Sequence, residues 1–364
     1  MKARLPRYLV PATILLLTFA CNRKPAPTEV LPVYLTETPY VTIASDTVYT
    51  ELDGRFWKGI LHKDTFHGIY ISNESYFGYP VKKFITFDKF GGNLRIQDIA
   101  GEIYYFLCRS SFKVVNDSIL FVPESSTDAV YSNRQIGRWQ TVHNVFVPNY
   151  EDDDYIVTST DNGEFGGMVY FRDKRSGKLY GAVANSVVAI NYFMGNYYVT
   201  TYLGHMQGWS SIIKIPDPRR LTELDGYIGE YEMWTNDSYS REGTELLYEA
   251  FDLELLSSFV HKGRLLHVYT DKSNVHLVAL NNEDGILYLS VDNMDAYDLA
   301  LKNKVLDEVY TFEDIDFVRL IQQKDWKYQQ LMFYTKDPHK SGIMEVTPDT
   351  IRLHYIVNTH PDKE

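Results

Sequence analysis

The densest set of chemically useful side chains in this chain lies in Leu203-Gly-His-Met-Gln-Gly-Trp-Ser-Ser211. His205 supplies an imidazole, Gln207 an amide, Trp209 an indole and Ser210 a hydroxyl. The flanking glycines let backbone approach a ligand closely. An indole can stack on the face of a sugar, while an imidazole and an amide hydrogen-bond its hydroxyls. His205, Gln207, Trp209 and Ser210 are therefore the candidate ligand-binding residues. The same residues suit a second role, as a compact hairpin whose Trp fills a gap between packed sheets and whose Ser caps a turn. Turn and packing roles are the commoner use of these types. In either role two strands must flank the segment, and the runs Asn196–Tyr202 and Ser211–Ile215 have the composition for them.

No catalytic signature accompanies this segment. The sequence has no Gly-x-Ser-x-Gly elbow, no His-Glu-x-x-His, no P-loop and no Cys-x-x-Cys. Glu151-Asp-Asp-Asp154 is the densest acidic run. A calcium loop spaces its carboxylates around a Gly turn and closes with Glu. This run does neither, and reads as a solvated loop between strands. Neither a cofactor nor a metal site is expected.

Cys21 carries the second chemical signal. A basic start (Lys2, Arg4, Arg7) leads into an apolar run from Leu9 to Ala20. That run is too short, and wrongly flanked, for a membrane-spanning helix. Leu17-Thr-Phe-Ala-Cys21 resembles a bacterial lipobox, although Thr18 replaces the usual Leu. The resemblance implies cleavage before Cys21, lipid on that cysteine, and a lipid-anchored envelope protein, at the outer membrane on its periplasmic face or the cell surface. Residues 1–20 are then the signal peptide and 21–35 a tether, in which prolines 25, 27 and 32 block regular ladders. Residues 36–358 remain as the folded domain.

Loss of residues 1–20 removes three of 36 basic residues and no acidic ones. The mature chain has 33 basic against 48 acidic residues, a net of −15. Such a field repels nucleic acid and anionic headgroups. Of two cysteines, lipidation uses one. Cys108, in the apolar run Ile103–Cys108, is left without a disulfide partner and reads as a buried, inert thiol.

The elements that must position these residues are strands. The body is rich in Tyr (29), Phe, Val, Ile and Thr, types that fit a pleated, half-buried surface. Six diverged copies of a strand unit can be drawn, with lead strands near residues 67, 118, 154, 196, 264 and 330. The fifth copy is drawn with Ile286–Leu289 as its third strand. Periods in this range with several short strands per copy point to an all-β fold, a β-propeller of six blades. The longer gaps leave room for short helical insertions at Thr244–Phe251 and Asn293–Leu301. Ring closure would pair an early strand, Tyr40–Ile43, with the last blade near Ile351–Tyr355.

Phe84-Ile-Thr-Phe-Asp-Lys-Phe-Gly-Gly-Asn-Leu-Arg95, with the lipobox, the Pro-rich tether and six diverged blades, resembles the six-bladed β-propeller lipoproteins of Bacteroidetes (TolB-like or NHL-like). The resemblance implies fold and envelope location and transfers no functional residue. The expected function is a non-catalytic binding or interaction module for a protein partner or a glycan. The alternative is a metal-dependent hydrolase or lyase with its site in the central channel, which needs His, Asp or Glu converging from several blades.

Overall fold

The computed structural model describes residues 34–37, 40–76, 79–99, 110–115, 118–123, 129–135, 138–143, 148–161, 163, 166–204, 208–224, 240–251, 254–270, 274–280, 287–289, 306–321 and 329–359. The first strands are β1 (Tyr34–Glu37) and β2 (Thr42–Thr50), so the last residues of the expected tether already belong to a strand. Six sheets follow from the described residues. Sheet I holds β3 (Gly54–His62), β4 (Thr65–Tyr76), β5 (Tyr79–Asp88) and β6 (Arg95–Asp98). Sheet II holds β7 (Ser110–Val115), β8 (Ser118–Pro123), β9 (Ala129–Gln135) and β10 (Arg138–His143). Sheet III holds β11 (Tyr150–Glu151), β12 (Tyr155–Asp161), β13 (Gly167–Asp173) and β14 (Leu179–Val183).

Sheet IV is built from β15 (Val187–Phe193), β16 (Asn196–Leu203) and β17 (Trp209–Ile215). The chain then steps back, and β18 (Thr222–Leu224) pairs with β14 at the edge of sheet III. It returns as β19 (Glu245–Phe251), the fourth strand of sheet IV. Sheet V holds β20 (Glu254–His261), β21 (Arg264–Thr270) and β22 (Val275–Leu280). Here too the chain steps back, and β23 (Leu287–Leu289) runs parallel to β19 in sheet IV before β24 (Leu306–Phe312) completes sheet V. Sheet VI holds β25 (Ile315–Ile321), β26 (Gln329–Thr335), β27 (Lys340–Val346) and β28 (Ile351–Asn358). Six sequential, mostly antiparallel sheets, with the last closed by a strand from the start of the chain, make this a β-propeller.

The ring closes on the expected last strand, but through Ile43–Thr50 rather than the expected Tyr40–Ile43. β2 runs parallel to β28, with Ile43 opposite Ile351 and Thr50 opposite Asn358, and β1 caps the outer edge. Val41 and Ile43 join a core that spans sheets V and VI, where Leu277, Leu331, Phe333 and Ile351 are fully buried. Each such apolar side chain contributes about 1.5–3 kcal/mol. Aromatic contacts bridge other sheet pairs. Phe84 meets Phe121 at 6.0 Å between sheets I and II, and Tyr150 meets Tyr197 at 5.8 Å between III and IV. Polar bonds fix the register. The Gln330 amide accepts from Leu61 N–H (2.9 Å) and donates to Leu61 C=O (2.7 Å), joining sheet VI to sheet I.

Two expectations need correction. Thr244–Phe251 is not a helix but contains strand β19, in which Leu247, Tyr248 and Ala250 are buried against sheet V. The unfilled edge of β17 needs a partner, and that requirement overrides a local pattern that suits a helix. Among the described residues the irregular step to β18 holds one 3₁₀ turn, Pro218–Arg220. Leu287–Leu289, drawn as part of the fifth copy, belongs instead to sheet IV. The other proposed helix, 293–301, and Cys108 lie outside the described residues.

The Phe84–Arg95 signature has a physical basis. Asp88 Oδ1 accepts from Phe90 and Gly92 N–H, both at 2.9 Å, and Oδ2 accepts from Asn93 Nδ2 at 2.8 Å. Gly91 takes φ of 80°, and a Cβ there would stand 2.1 Å from the Tyr49 carbonyl oxygen on β2. The turn is shaped to seat against the closing strand.

Candidate functional site

Among the first strands of the sheets, β3 meets β7, β15 meets β20, β20 meets β25, and β25 also meets β7. At the end where β15 and β20 finish, a cavity of about 130 Å3 opens between sheets III, IV, V and VI. Its polar lining is Asn191 from β15 and Gln329 from β26, with Tyr150 from β11 and Tyr192 from β15. Ile190, Phe259, Val260 and Val346 supply the apolar remainder. Among these lining residues none is charged.

The amides are locked in order. Asn191 is buried, and its Nδ2 donates to Ser258 Oγ at 2.8 Å; that hydroxyl lies 2.8 Å from Thr200 Oγ1. Asn191 Oδ1 is thus turned to Gln329, whose Nε2 donates to it at 3.4 Å. Gln329 Oε1 is left buried with no hydrogen-bond partner among the described residues. Buried acceptors are almost always satisfied, so an orphan beside a cavity marks a place where a donor belongs.

The aromatic side of the cavity is held by Asp152. Its carboxylate accepts the N–H groups of Asp154 (2.9 Å) and Tyr155 (2.8 Å) and the Tyr197 hydroxyl at 2.6 Å. Tyr197 packs at 4.8 Å against Tyr192, which remains 52% exposed at the rim. Burial, reinforced by the hydrogen bond and charge of Asp152, pushes the Tyr150 and Tyr197 hydroxyls well above the usual tyrosine range, so both stay protonated donors. The acidic run is therefore a loop with structural work: Glu151 pairs with Lys174 at 3.0 Å and Asp154 with Arg175 at 3.0 Å.

The segment singled out in the sequence forms the β16–β17 hairpin, at the opposite end of these strands from the β15–β16 turn beside the cavity. His205, Gln207 and Cys21 lie outside the described residues. Trp209 opens β17, half-buried, in register with Leu203 and Phe251. Ser210 is fully buried, and its Oγ accepts from Leu255 N–H at 2.9 Å, tying sheet IV to sheet V. A Cβ on Gly204 would approach the Tyr202 hydroxyl at 3.2 Å, and Gly208 takes φ of 75°, so both glycines serve the hairpin itself.

The fold places Tyr150, Asn191, Tyr192 and Gln329 together although nearly 180 positions separate the first from the last. Each sits in an ordinary strand-forming run. The one local sign is Asn191, an amide interrupting the apolar run Val187–Phe193.

No family model matches the chain, and no curated protein matches it. Solved structures overlap it loosely. The β-propeller domain of the Trilobed protease from Pyrococcus furiosus covers 80% of this chain and 92% of its own, at 6% identity and a TM-score of 0.33. Hsv2 of Kluyvelomyces marxianus covers 82% and 97%, at 10% identity and a TM-score of 0.33. Overlaps this loose say nothing about binding or chemistry.

Proposed function

We propose that the chain is a lipid-anchored envelope protein whose propeller is a binding module, with the cavity between sheets III, IV, V and VI as its binding site. The observation that carries the binding reading is the lining of that cavity. Four sheets converge on it with two ordered amides and two tyrosines, and one amide oxygen is buried without a hydrogen-bond partner among the described residues. Such a set recognises and orients a ligand. General acid–base or metal chemistry would call for carboxylates or imidazoles at the same place, and the lining residues are of other types. The net charge of −15 after removal of residues 1–20 supports a partner other than nucleic acid. The charged, apolar and small-residue order before Cys21 supports the anchor.

Two measurements test this. Mass analysis of the mature N-terminus should find a diacyl or triacyl Cys21, and Cys21→Ala should release the protein or leave it uncleaved. Normal processing and membrane association in Cys21→Ala would refute the anchor. For binding, amide NMR spectra should shift at residues 190–192 and 329 when a chemically mixed small-molecule library is added. A library that moves only resonances elsewhere would refute the cavity as the site.

A further inference from the structure

Resting on that reading of the cavity, we propose that its ligand is a single uncharged sugar ring, the terminal unit of a neutral glycan. The size sets the first limit. Ligand pockets for larger molecules run to about 300–1,000 Å3, and this one is about 130 Å3. It admits one ring and leaves any further units outside, past Tyr192 and the 72%-exposed Met194 on the same turn.

Charge sets the second limit. No lining residue among those described is ionic, so a carboxylate or ammonium entering the cavity would lose its hydration with no opposite charge to meet it. Polarity sets the third. Gln329 Oε1 is an acceptor without a partner among the described residues, while the second N–H of each amide is a donor not used in the Asn191–Ser258 and Gln329–Asn191 bonds. A hydroxyl both donates and accepts, and a pair of neighbouring hydroxyls answers such a mixed set. Finally, the walls are aromatic. Tyr192, held by Tyr197, and Tyr150 and Phe259 present rings to which the C–H face of a sugar is complementary. A purely apolar ring would satisfy the walls and strand the amides. A small polar solute would satisfy the amides and leave the walls wet.

The test uses the full-length protein in a non-glycosidic detergent, with matched probes followed by saturation-transfer NMR and calorimetry. The neutral set is the methyl glycosides of glucose, galactose and mannose, and N-acetylglucosamine. Glucuronate and glucosamine keep the ring and add one charge, and cyclohexanol keeps the ring and removes most hydroxyls. At least one neutral sugar should bind with a Kd of about 0.1–10 mM, as expected for about a dozen non-hydrogen atoms. Its charged counterparts should bind about tenfold more weakly or not at all. Tyr192→Ala and Gln329→Met should each weaken that binding about tenfold. Tyr192 is half exposed and Gln329→Met keeps the volume, so both variants should melt near the wild type. Equal binding of charged and neutral rings, a preference for cyclohexanol, or sugar binding untouched by both variants would overturn the sugar assignment. A charged or apolar probe that binds and is lost in the variants overturns it too, but leaves the cavity standing as a binding site. Silence from every neutral sugar, with library ligands still shifting residues 190–192, does the same.

Discussion

Breaking the ion pair at the ring closure should make the stability of this domain lose a specific pH dependence. His354 on β28 and Asp46 on β2 meet at 2.9 Å, with side chains 8% and 12% exposed. Glu345 lies 3.6 Å from the other ring nitrogen, Arg352 stands 4.0 Å from Asp46, and the Phe66 ring packs on the imidazole at 5.9 Å. Burial alone would lower the pKa of His354, but the bonds and charges of Asp46 and Glu345 outweigh it, and the pKa is raised. The sign follows. A folded pKa above the unfolded value of 6.5 gives stability that is complete below pH 6.5 and is lost as pH rises through the folded pKa. In Asp46→Asn the charged partner is gone. A charge-assisted hydrogen bond in this setting is worth about 2 kcal/mol. A domain of this length unfolds with an entropy of about 0.7 kcal/mol per degree, so the variant should melt about 3 °C lower at pH 6. Toward pH 9, as His354 loses its proton, the gap should shrink toward about 1 °C, the size of an ordinary hydrogen bond. Differential scanning calorimetry at both pH values measures it. Equal gaps at pH 6 and pH 9 would show that the pair contributes no charge interaction and would refute the reasoning.

His267 should act in the opposite direction. It is fully buried, burial pushes its pKa down to about 3, and neither ring nitrogen has a partner among the described residues. Its stability term is complete above pH 6.5 and lost as pH falls. His267→Leu should therefore spare about 3 kcal/mol between pH 7 and pH 4, read as a smaller loss of urea midpoint than in the wild type. Gly91→Ala should lower the melting temperature by several degrees. Positive φ and a 2.1 Å approach to the Tyr49 carbonyl both oppose a Cβ there. A substitution that leaves the melting temperature unchanged would show that the turn does not seat on the closing strand. Trp209→Ala should cost about 2 kcal/mol of stability, less than for a fully buried indole, while His205→Ala should be silent. A stable Trp209→Ala that fails to bind a ligand would restore the β16–β17 hairpin as a site.

Sequence periodicity located the strands well, because Tyr, Val, Ile and Phe alternate where one sheet packs on the next. Ring closure was legible in part: Val41 and Ile43 mark where the closing strand enters the core, but the pairing itself runs on through Thr50, whose mixed residues gave no such sign. What the periodicity could not reach was membership. Glu245–Phe251 and Leu287–Leu289 are short, and their sheet is decided by which edge lies open in three dimensions rather than by their own residues. The site was missed on similar grounds. The Gly204–Ser211 segment concentrates polar chemistry in sequence but spends Ser210 on the neighbouring backbone. Asn191 and Gln329 look unremarkable in their strands and gain meaning through a hydrogen bond 138 positions apart.

The stepped-back strands set the order in which this domain can be made. Sheet III is completed by β18, which is synthesised after most of sheet IV; sheet IV is completed by β23, after most of sheet V; and β2 waits for β28. Asp46 meets a partner 308 positions downstream. Sheets III and IV cannot finish before their successors have begun, so these two cannot fold one at a time behind the ribosome. Closing so long a loop is slow, since its entropy must be lost before the contacts form. The nascent chain therefore carries open strand edges until its last residues emerge. Those edges invite pairing with other chains until β28 arrives.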